Sequence, residues 1–476
     1  MKRRIFILAL VFVSIFALAA CNTPAFSGNG DEGDMEAIFE EAMNALEESH
    51  YKDPSRDELY QGAIEGMFDS LEDPYSQYFS KEEYEQFHDG LSESFVGIGV
   101  SVENVDDTVI IRKVWADSPA QEAGLQPGDV ITHIDGESYE DKSYYETVAD
   151  VQGEEGTTVE VGVLRVGVQD TITFEMVREE IENPTVVSST VNHEGKTIGV
   201  IEVHSFGGET FNHFKTAVDS FETEGIDGLL VDLRDNGGGY LTTVNKMLDL
   251  FLTEGGLPMF TIEQRIDGEW VTQPYEATGS EAKPYPILTM VNGFSASASE
   301  VFAAGMKEKG GYDVLGTDTF GKGTMQSSQD LAPYSEDELH ISRGRWLTPE
   351  GNWVDPDVGD INAISPTIEV EQNPLFKGYN VYLSEGETLN FDTVSPRIEN
   401  AQRILNTMDY SIRTDGYFDE ETRSAVQSYQ SDNGLEITGV IDATTANMLS
   451  EYFYQYRTNK ANDTQYQAAL DYFTND

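Results

Sequence analysis

Between residues 181 and 370 the chain repeats one alternation, a short apolar run followed by a stretch with helical spacing. "KTIGVIEV" leads into helical spacing over Glu209–Glu224, and "GLLVDL" comes next. A glycine run, a helical stretch at Thr242–Leu252, "PILTMVNG", another at Ser299–Glu308 and "YDVLG" complete the series. Apolar runs bounded by helices pair into a sheet covered by helices, because neither element buries its apolar side alone. The expectation is an α/β layered core.

A chain of 476 residues exceeds what one core organises. Residues 95–180 change character. "GIGVSVE", "TVIIRKV", "DVITHIDG" and "TTVEVGVLRVG" read as strands, "SPAQEAG" as a short helix closed by Gly124, and "LQPGD" as a turn. Upstream, residues 35–94 read as a helical segment. Met35, Ile38, Phe39, Met43 and Leu46 fall on one stripe, and a second helix near Leu59–Leu71 breaks at Asp73-Pro74. Residues 371–388 read as a polar connector and 389–455 as a small helical domain. Two helix starts within it, Asp419-Glu420-Glu421-Thr422 and Asp442-Ala443-Thr444-Thr445, form a weak internal repeat. Residues 456–476 read as a frayed polar tail. The whole is an α/β multidomain chain: an α/β layered core, an inserted mostly β domain, an N-terminal helical segment and a small all-α C-terminal domain.

The N-terminus is an address. Lys2-Arg3-Arg4 precede an apolar stretch, Ile5–Phe16, and Leu18-Ala19-Ala20-Cys21 closes it. The run is short for a membrane span. Small residues before a cysteine resemble the lipobox of bacterial lipoproteins. That implies removal of residues 1–20, lipid on the Cys21 sulfur, a polar tether over 21–34 and an extracytoplasmic, membrane-anchored protein. An ordinary signal peptide cut after Ala20 leaves a secreted chain instead. Cys21 is the only cysteine, so once it is lipidated no disulfide, zinc–cysteine site or cysteine nucleophile is available, whereas ordinary cleavage would leave it a free thiol. The formal charge of −57 argues against a nucleic-acid partner, since phosphate binding needs basic clusters.

Chemistry is suggested by "NGFSASASEVFAAG", residues 292–305. Ser297 and Glu300 form the S-x-x-E pattern of a capping box. The free N–H groups of a helix's first turn also suit an oxyanion. A serine attacks only when a base removes its proton. Of seven histidines, His204 and His213 lie near a strand end of the α/β region and are one candidate base. Lys322, in "GTDTFGKGTMQ" (316–326), is another. This stretch nearly spells a phosphate loop, but Gly323 stands where Ser or Thr would hold magnesium, which weakens a nucleotide-hydrolase reading. A lysine base must be neutral, which burial promotes. A third stretch, "VDLRDNGGGYLTT" (231–243), runs a strand into glycines that allow close approach and supply bare N–H groups. Read without the catalytic motifs, the chain is also consistent with a non-catalytic, wall-associated scaffold.

Three resemblances sharpen these readings. "FVGIGV" (95–100), "SPAQEAGLQPGDVITHIDG" (118–136) and "VGVLRVG" are similar to a PDZ domain, which implies that the Gly97-Ile98-Gly99 loop holds a terminal carboxylate. "AVQSYQSDNGL" with "GVIDATT" resembles a peptidoglycan-binding-type domain. Over roughly residues 60–370, "VDLRDNGGG", "SASASE" and "FGKGTMQ" resemble the carboxyl-terminal processing peptidases. The resemblance implies a serine endopeptidase with a Ser–Lys dyad: Ser297 the nucleophile, Lys322 the base, and Gln326 orienting the lysine. It places the oxyanion between the N–H of Ala298 and that of Gly238 or Gly239. It implies protein substrates with accessible C-terminal tails, no metal or other cofactor, and a homodimer formed by the N-terminal helical arm. "RGRWLTPEGNWVD" (343–355) departs from the family pattern at Trp346, read here as drift in a surface strand.

Overall fold

The computed structural model describes residues 32–474 apart from 82, 85–93, 106–107, 116, 140–141, 143, 166–170, 280, 334, 378–380, 382 and 384–385. The expected signal peptide, Cys21 and most of the tether lie outside the described residues. No described helix is long and apolar enough to cross a membrane.

Residues 1–73 and 74–476 are two compact units. In the first, α1 (Glu32–Ser49) and α2 (Arg56–Asp69) are joined by Arg56, which binds both Glu47, at 3.0 Å, and Glu40. Ser55 and Glu58 cap α2 reciprocally. Of the apolar stripe on α1, Met43 is buried, whereas Met35, Ile38, Phe39 and Leu46 are exposed.

The second unit departs at once from the expected helical segment. β1 (Gln77–Phe79) is a strand because it is captured on a sheet edge through Phe79↔Glu338 pairing, whereas β2 (Ser94–Gly97) opens the expected β domain. A mostly β region then follows: β3 (Val100–Val105), β4 (Thr108–Val114), β5 (Val130–Ile134), β6 (Glu137–Ser138), β7 (Thr158–Leu164), β8 (Ile172–Val177) and β9 (Glu179–Glu182). Its sheet runs β3-β4-β5-β7-β8 with β3 at one edge, while β2 pairs with β9. α3 (Pro119–Ala123) starts on a Ser118 cap and stops at Gly124 (φ +93°), as the turn residues dictate. α4 (Tyr144–Val151) completes the region.

The main sheet runs β10 (Val186–His193), β11 (Lys196–Val203), β12 (Gly228–Asp232), β15 (Ile287–Val291), β16 (Asp313–Gly316) and β19 (Ile368–Glu369), parallel from β11 onward. Side chains alternate across it. Ile201, Val203, Leu229 and Val231 face α5 (Thr210–Glu224), α6 (Leu241–Leu248) and α7 (Ala298–Ala304), meeting Phe214, Met247 and Phe302. A second sheet pairs β1, β18 (Glu338–Leu347), β13 (Phe260–Ile266) and β14 (Glu269–Tyr275), with β17 (Thr324–Asp330) also on β18.

The C-terminal module contains α8 (Pro396–Asn406), α9 (Glu420–Asp432) and α10 (Ala443–Thr458). Its repeat is physical. Asp419 and Asp442 each accept the N–H three residues on at 2.8 Å, while buried Gln402 and Gln430 each bond the repeat's threonine, Thr422 or Thr445. The expected polar connector, 371–388, puts Leu375, Val381 and Leu383 into this module's core.

The expected frayed tail is not one. Asp463 caps α11 (Thr464–Tyr472), which lies on the other face of the main sheet. There Tyr466, Ala469, Leu470 and Phe473 bury Ile198, Val200, Leu230, Leu288, Met290 and Leu315. Helical spacing hidden in a polar sequence supplies this stripe. The fit is close: a Cβ on Gly228 would stand 2.3 Å from the Phe473 ring.

Candidate active site

The site forms where β12 leaves the sheet at its carboxyl end, the usual place for a ligand crevice in parallel α/β sheets. Asn236, fully buried, organises the departing loop. Its Nδ2 donates to the Val203 carbonyl (2.8 Å) and its Oδ1 accepts the Gly238 N–H (2.9 Å). Its own carbonyl accepts the Ala296 N–H (3.0 Å) and the Ser299 hydroxyl (2.8 Å). The glycine loop and the serine loop are therefore stitched together.

Only glycine fits the nearest point. Gly238 has φ +112°, and a Cβ there would sit 2.8 Å from Ser297 Cβ and 2.9 Å from the Ala296 carbonyl oxygen. Gly239 packs on Phe206, whose N–H donates to the Gly238 carbonyl and whose own carbonyl accepts the Tyr240 N–H. Among the described residues, neither the Gly239 nor the Ala298 amide donates a hydrogen bond.

The three serines differ in what they touch. Ser295 is buried and donates to the Leu233 carbonyl (2.8 Å), and Ser299 is buried and donates to Asn236. Ser297 is part-exposed and sits ahead of α7 with φ +55°, a conformation costly for a residue with a side chain and typical of functional turns.

Glu300 does more than cap. It is fully buried, and its Oε2 accepts the N–H of Ser297 (2.8 Å) and that of Lys322 (2.9 Å). Its Oε1 accepts the Gly321 N–H (2.7 Å) and the Thr319 hydroxyl (2.6 Å). Burial pushes its pKa above the ordinary carboxylate value, against the downward pull of these four donors.

Lys322 is held from behind. Trp346 is buried, 1% exposed, and its indole N–H donates to the Lys322 carbonyl at 2.9 Å. The expectation of surface drift at Trp346 is thus corrected: the indole fills the floor beneath the lysine turn. The Lys322 Nζ lies 4.4 Å from the ring centre of Tyr75, a residue to which no sequence motif gave a role. Gln326, on β17, donates to Thr324 Oγ1 (2.9 Å) and Ser342 Oγ (3.0 Å). Ser297, Lys322, Gln326, Gly238, Gly239 and Tyr75 all line one cleft of about 830 Å³. His204 lines it too, whereas His213 sits on the exposed side of α5. No group of three or more His, Cys, Asp or Glu side chains able to hold a metal occurs among the described residues.

In the β region, Gly97, Ile98 and Gly99 line a small groove between β3 and α4, with Val100, Val102 and Val151. Ile98 is 1% exposed, and its carbonyl accepts the Ala120 N–H at 2.8 Å. The groove therefore opens beside the edge strand of its sheet.

Four protein families match the chain: peptidase family S41 over residues 197–370, a PDZ domain over 96–176, a peptidoglycan binding domain over 394–449, and the activating protease CtpB N-terminal domain over 22–83. The carboxy-terminal processing protease CtpB of Bacillus subtilis (strain 168) is 35% identical over 433 residues, which is 91% of this chain and 88% of that one. A CtpA-like serine protease of Staphylococcus aureus (strain bovine RF122 / ET3-1) is 32% identical over 434 residues, 91% of this chain and 84% of that one. Among solved structures, a photosystem II D1 C-terminal processing protease aligns over 71% of this chain and 93% of its own, at 24% identity and a TM-score of 0.45.

Proposed function

We propose, on the premise that this chain belongs to the carboxy-terminal processing proteases of peptidase family S41, that Ser297 is its nucleophile and Lys322 its general base. The chain is a serine-type protease with a PDZ domain and a peptidoglycan-binding-type domain. The observation that carries the dyad reading is the shared carboxylate oxygen of Glu300, which ties the Ser297 and Lys322 backbones to one point at the cleft.

In this reading the neutral Lys322 amine takes the Ser297 proton as Oγ attacks the scissile carbonyl. The developing oxyanion is held by the Ala298 amide and by a glycine amide. The Gly238 N–H is already given to Asn236, which favours Gly239 as the second donor. The amine then protonates the leaving nitrogen, and after the acyl-enzyme forms it activates the hydrolytic water. Gln326 orients the lysine, and the Tyr75 ring shields the amine from water on one side. The PDZ groove takes the substrate's C-terminal tail as an added strand on β3.

Lipid on Cys21 anchors the protein at the extracytoplasmic face of the membrane, the C-terminal module binds peptidoglycan, and the N-terminal helices form a homodimer through the exposed α1 stripe. Metabolic labelling with a lipid, a cell-wall pull-down and light scattering across a dilution series test these three in turn. A second base is favoured by one observation, since His204 lines the same cleft. The deciding experiment is cleavage of a tailed peptide by wild type and the Ser297→Ala, Lys322→Ala and His204→Ala variants. The dyad reading expects the first two substitutions to abolish cleavage and the third to leave it. Loss in His204→Ala with activity kept in Lys322→Ala would replace the base.

A further inference from the structure

The last helix belongs to the catalytic core and is chemically joined to its glycine loop. Asp463, the cap of α11, is 5% exposed. Its Oδ1 accepts Arg234 Nη1 (2.9 Å), Gln372 Nε2 (2.7 Å) and the Tyr466 N–H (3.0 Å), and its Oδ2 lies 2.9 Å from Arg234 Nη2. On its other side the Arg234 guanidinium grips Asp232, through Nε at 3.0 Å and Nη2 at 2.8 Å. One planar cation thus spans the carboxylate that ends β12 and a carboxylate far along the chain, a geometry arginine's fork allows and lysine's point charge does not.

Position gives the bridge its meaning. Arg234 stands two residues ahead of Asn236, whose side chain holds the Gly238 N–H. On the C-terminal side, the chain leaving the core and the chain returning to it are bonded together. Thr464 Oγ1 donates to the Glu371 carbonyl and Gln465 Nε2 to the Val370 carbonyl, both at 2.8 Å. The helical module is therefore held at both ends at the point where α11 grips Arg234.

We propose that Arg234 and Asp463 are positioning residues for proteolysis. Their ion pair sets where β12 releases the chain into residues 235–239, so the segment reached only through the peptidoglycan-binding-type module fixes the glycine loop beside Ser297. The proposal rests on the reading that this loop serves Ser297.

The test measures kcat, KM and melting temperature for full-length Asp463→Ala, Asp463→Asn and Arg234→Lys, with Ser297→Ala as reference. A shifted loop harms the transition state more than ground-state binding. Asp463→Ala should lower kcat about ten- to a hundredfold with KM within about twofold, as sub-ångström misplacement does. Asp463→Asn, which keeps the Oδ1 acceptor, should recover part of the loss. Wild-type kcat in folded Asp463→Ala, or a raised KM at unchanged kcat, overturns the proposal. Should Asp463→Ala not fold, the two milder variants decide by the same criterion. If Ser297→Ala is dead while the bridge variants keep full kcat, only this coupling falls; if Ser297→Ala cleaves normally, the site reading falls and the coupling with it.

Discussion

Glu300 Oε2 accepts the backbone N–H of Lys322 at 2.9 Å, across 22 residues of chain. The same oxygen accepts the N–H of Ser297 at 2.8 Å. A single buried carboxylate therefore sets the spacing of the two turns that carry the proposed nucleophile and base. A carboxylate suits the task because both of its oxygens only accept, and here four donors surround them.

Glu300→Gln tests that role. The amide keeps the shape but turns an NH₂ toward two donors, leaving them unpaired at about 1–3 kcal/mol each. We expect kcat to fall about a hundredfold, as when a site is displaced by roughly an ångström, with secondary structure retained by circular dichroism. Unchanged kcat would show that the two turns hold their spacing without the carboxylate.

The pH profile carries a second test. Burial raises the Glu300 pKa, so the carboxyl takes up a proton above the usual carboxylate range of about 4.3. A protonated oxygen can no longer accept from both of its donors, so kcat should decline in acid beginning above that range. The stability sign is opposite. A folded-state pKa raised above the unfolded one favours the fold below the unfolded value, and this contribution is lost as pH rises through the folded value. Activity should thus fall on acidification without a matching loss of melting temperature attributable to this group. An acid limb identical in Glu300→Gln would exclude it.

Trp346→Phe removes the indole N–H that bonds the Lys322 carbonyl. Losing that bond should cost about 0.5–1.5 kcal/mol, read as a lowered denaturation midpoint, with kcat reduced as well. A neutral substitution would return Trp346 to the surface-strand reading.

Phe473→Ala should destabilise the protein by about 3–5 kcal/mol, because the ring seals the main sheet over Gly228. Gly228→Ala, whose Cβ would strike that ring, should be destabilising alone and better tolerated together with Phe473→Ala. Additive costs in denaturant titrations would contradict the contact.

Much of this protein was legible in its residues. "KTIGVIEV" is β11, residue for residue, because an apolar run flanked by turn residues has few other fates. Ser118 and Gly124 bound α3, and the two D-x-x-T starts cap α9 and α10, since capping is a local hydrogen bond that neighbouring residues decide. Less was legible where a residue's partner is remote. Glu300 read as a helix cap, and its bonds to Thr319, Gly321 and Lys322 come from a turn brought in by β16. Tyr75, just past the Asp73-Pro74 break, belonged to no motif, and its ring meets the Lys322 amine.

By itself, then, the sequence determined the strand–helix order of the core, the turns of the β region and the motifs that identify the family, all properties of short windows. The tertiary structure alone decided that Ser295 and Ser299 bond backbone while Ser297 lines the cleft, that Trp346 is buried, and that a polar-looking terminus returns to close the sheet. The physical reason is that burial and hydrogen-bond satisfaction are settled among groups far apart in the chain, and no window of sequence contains both partners.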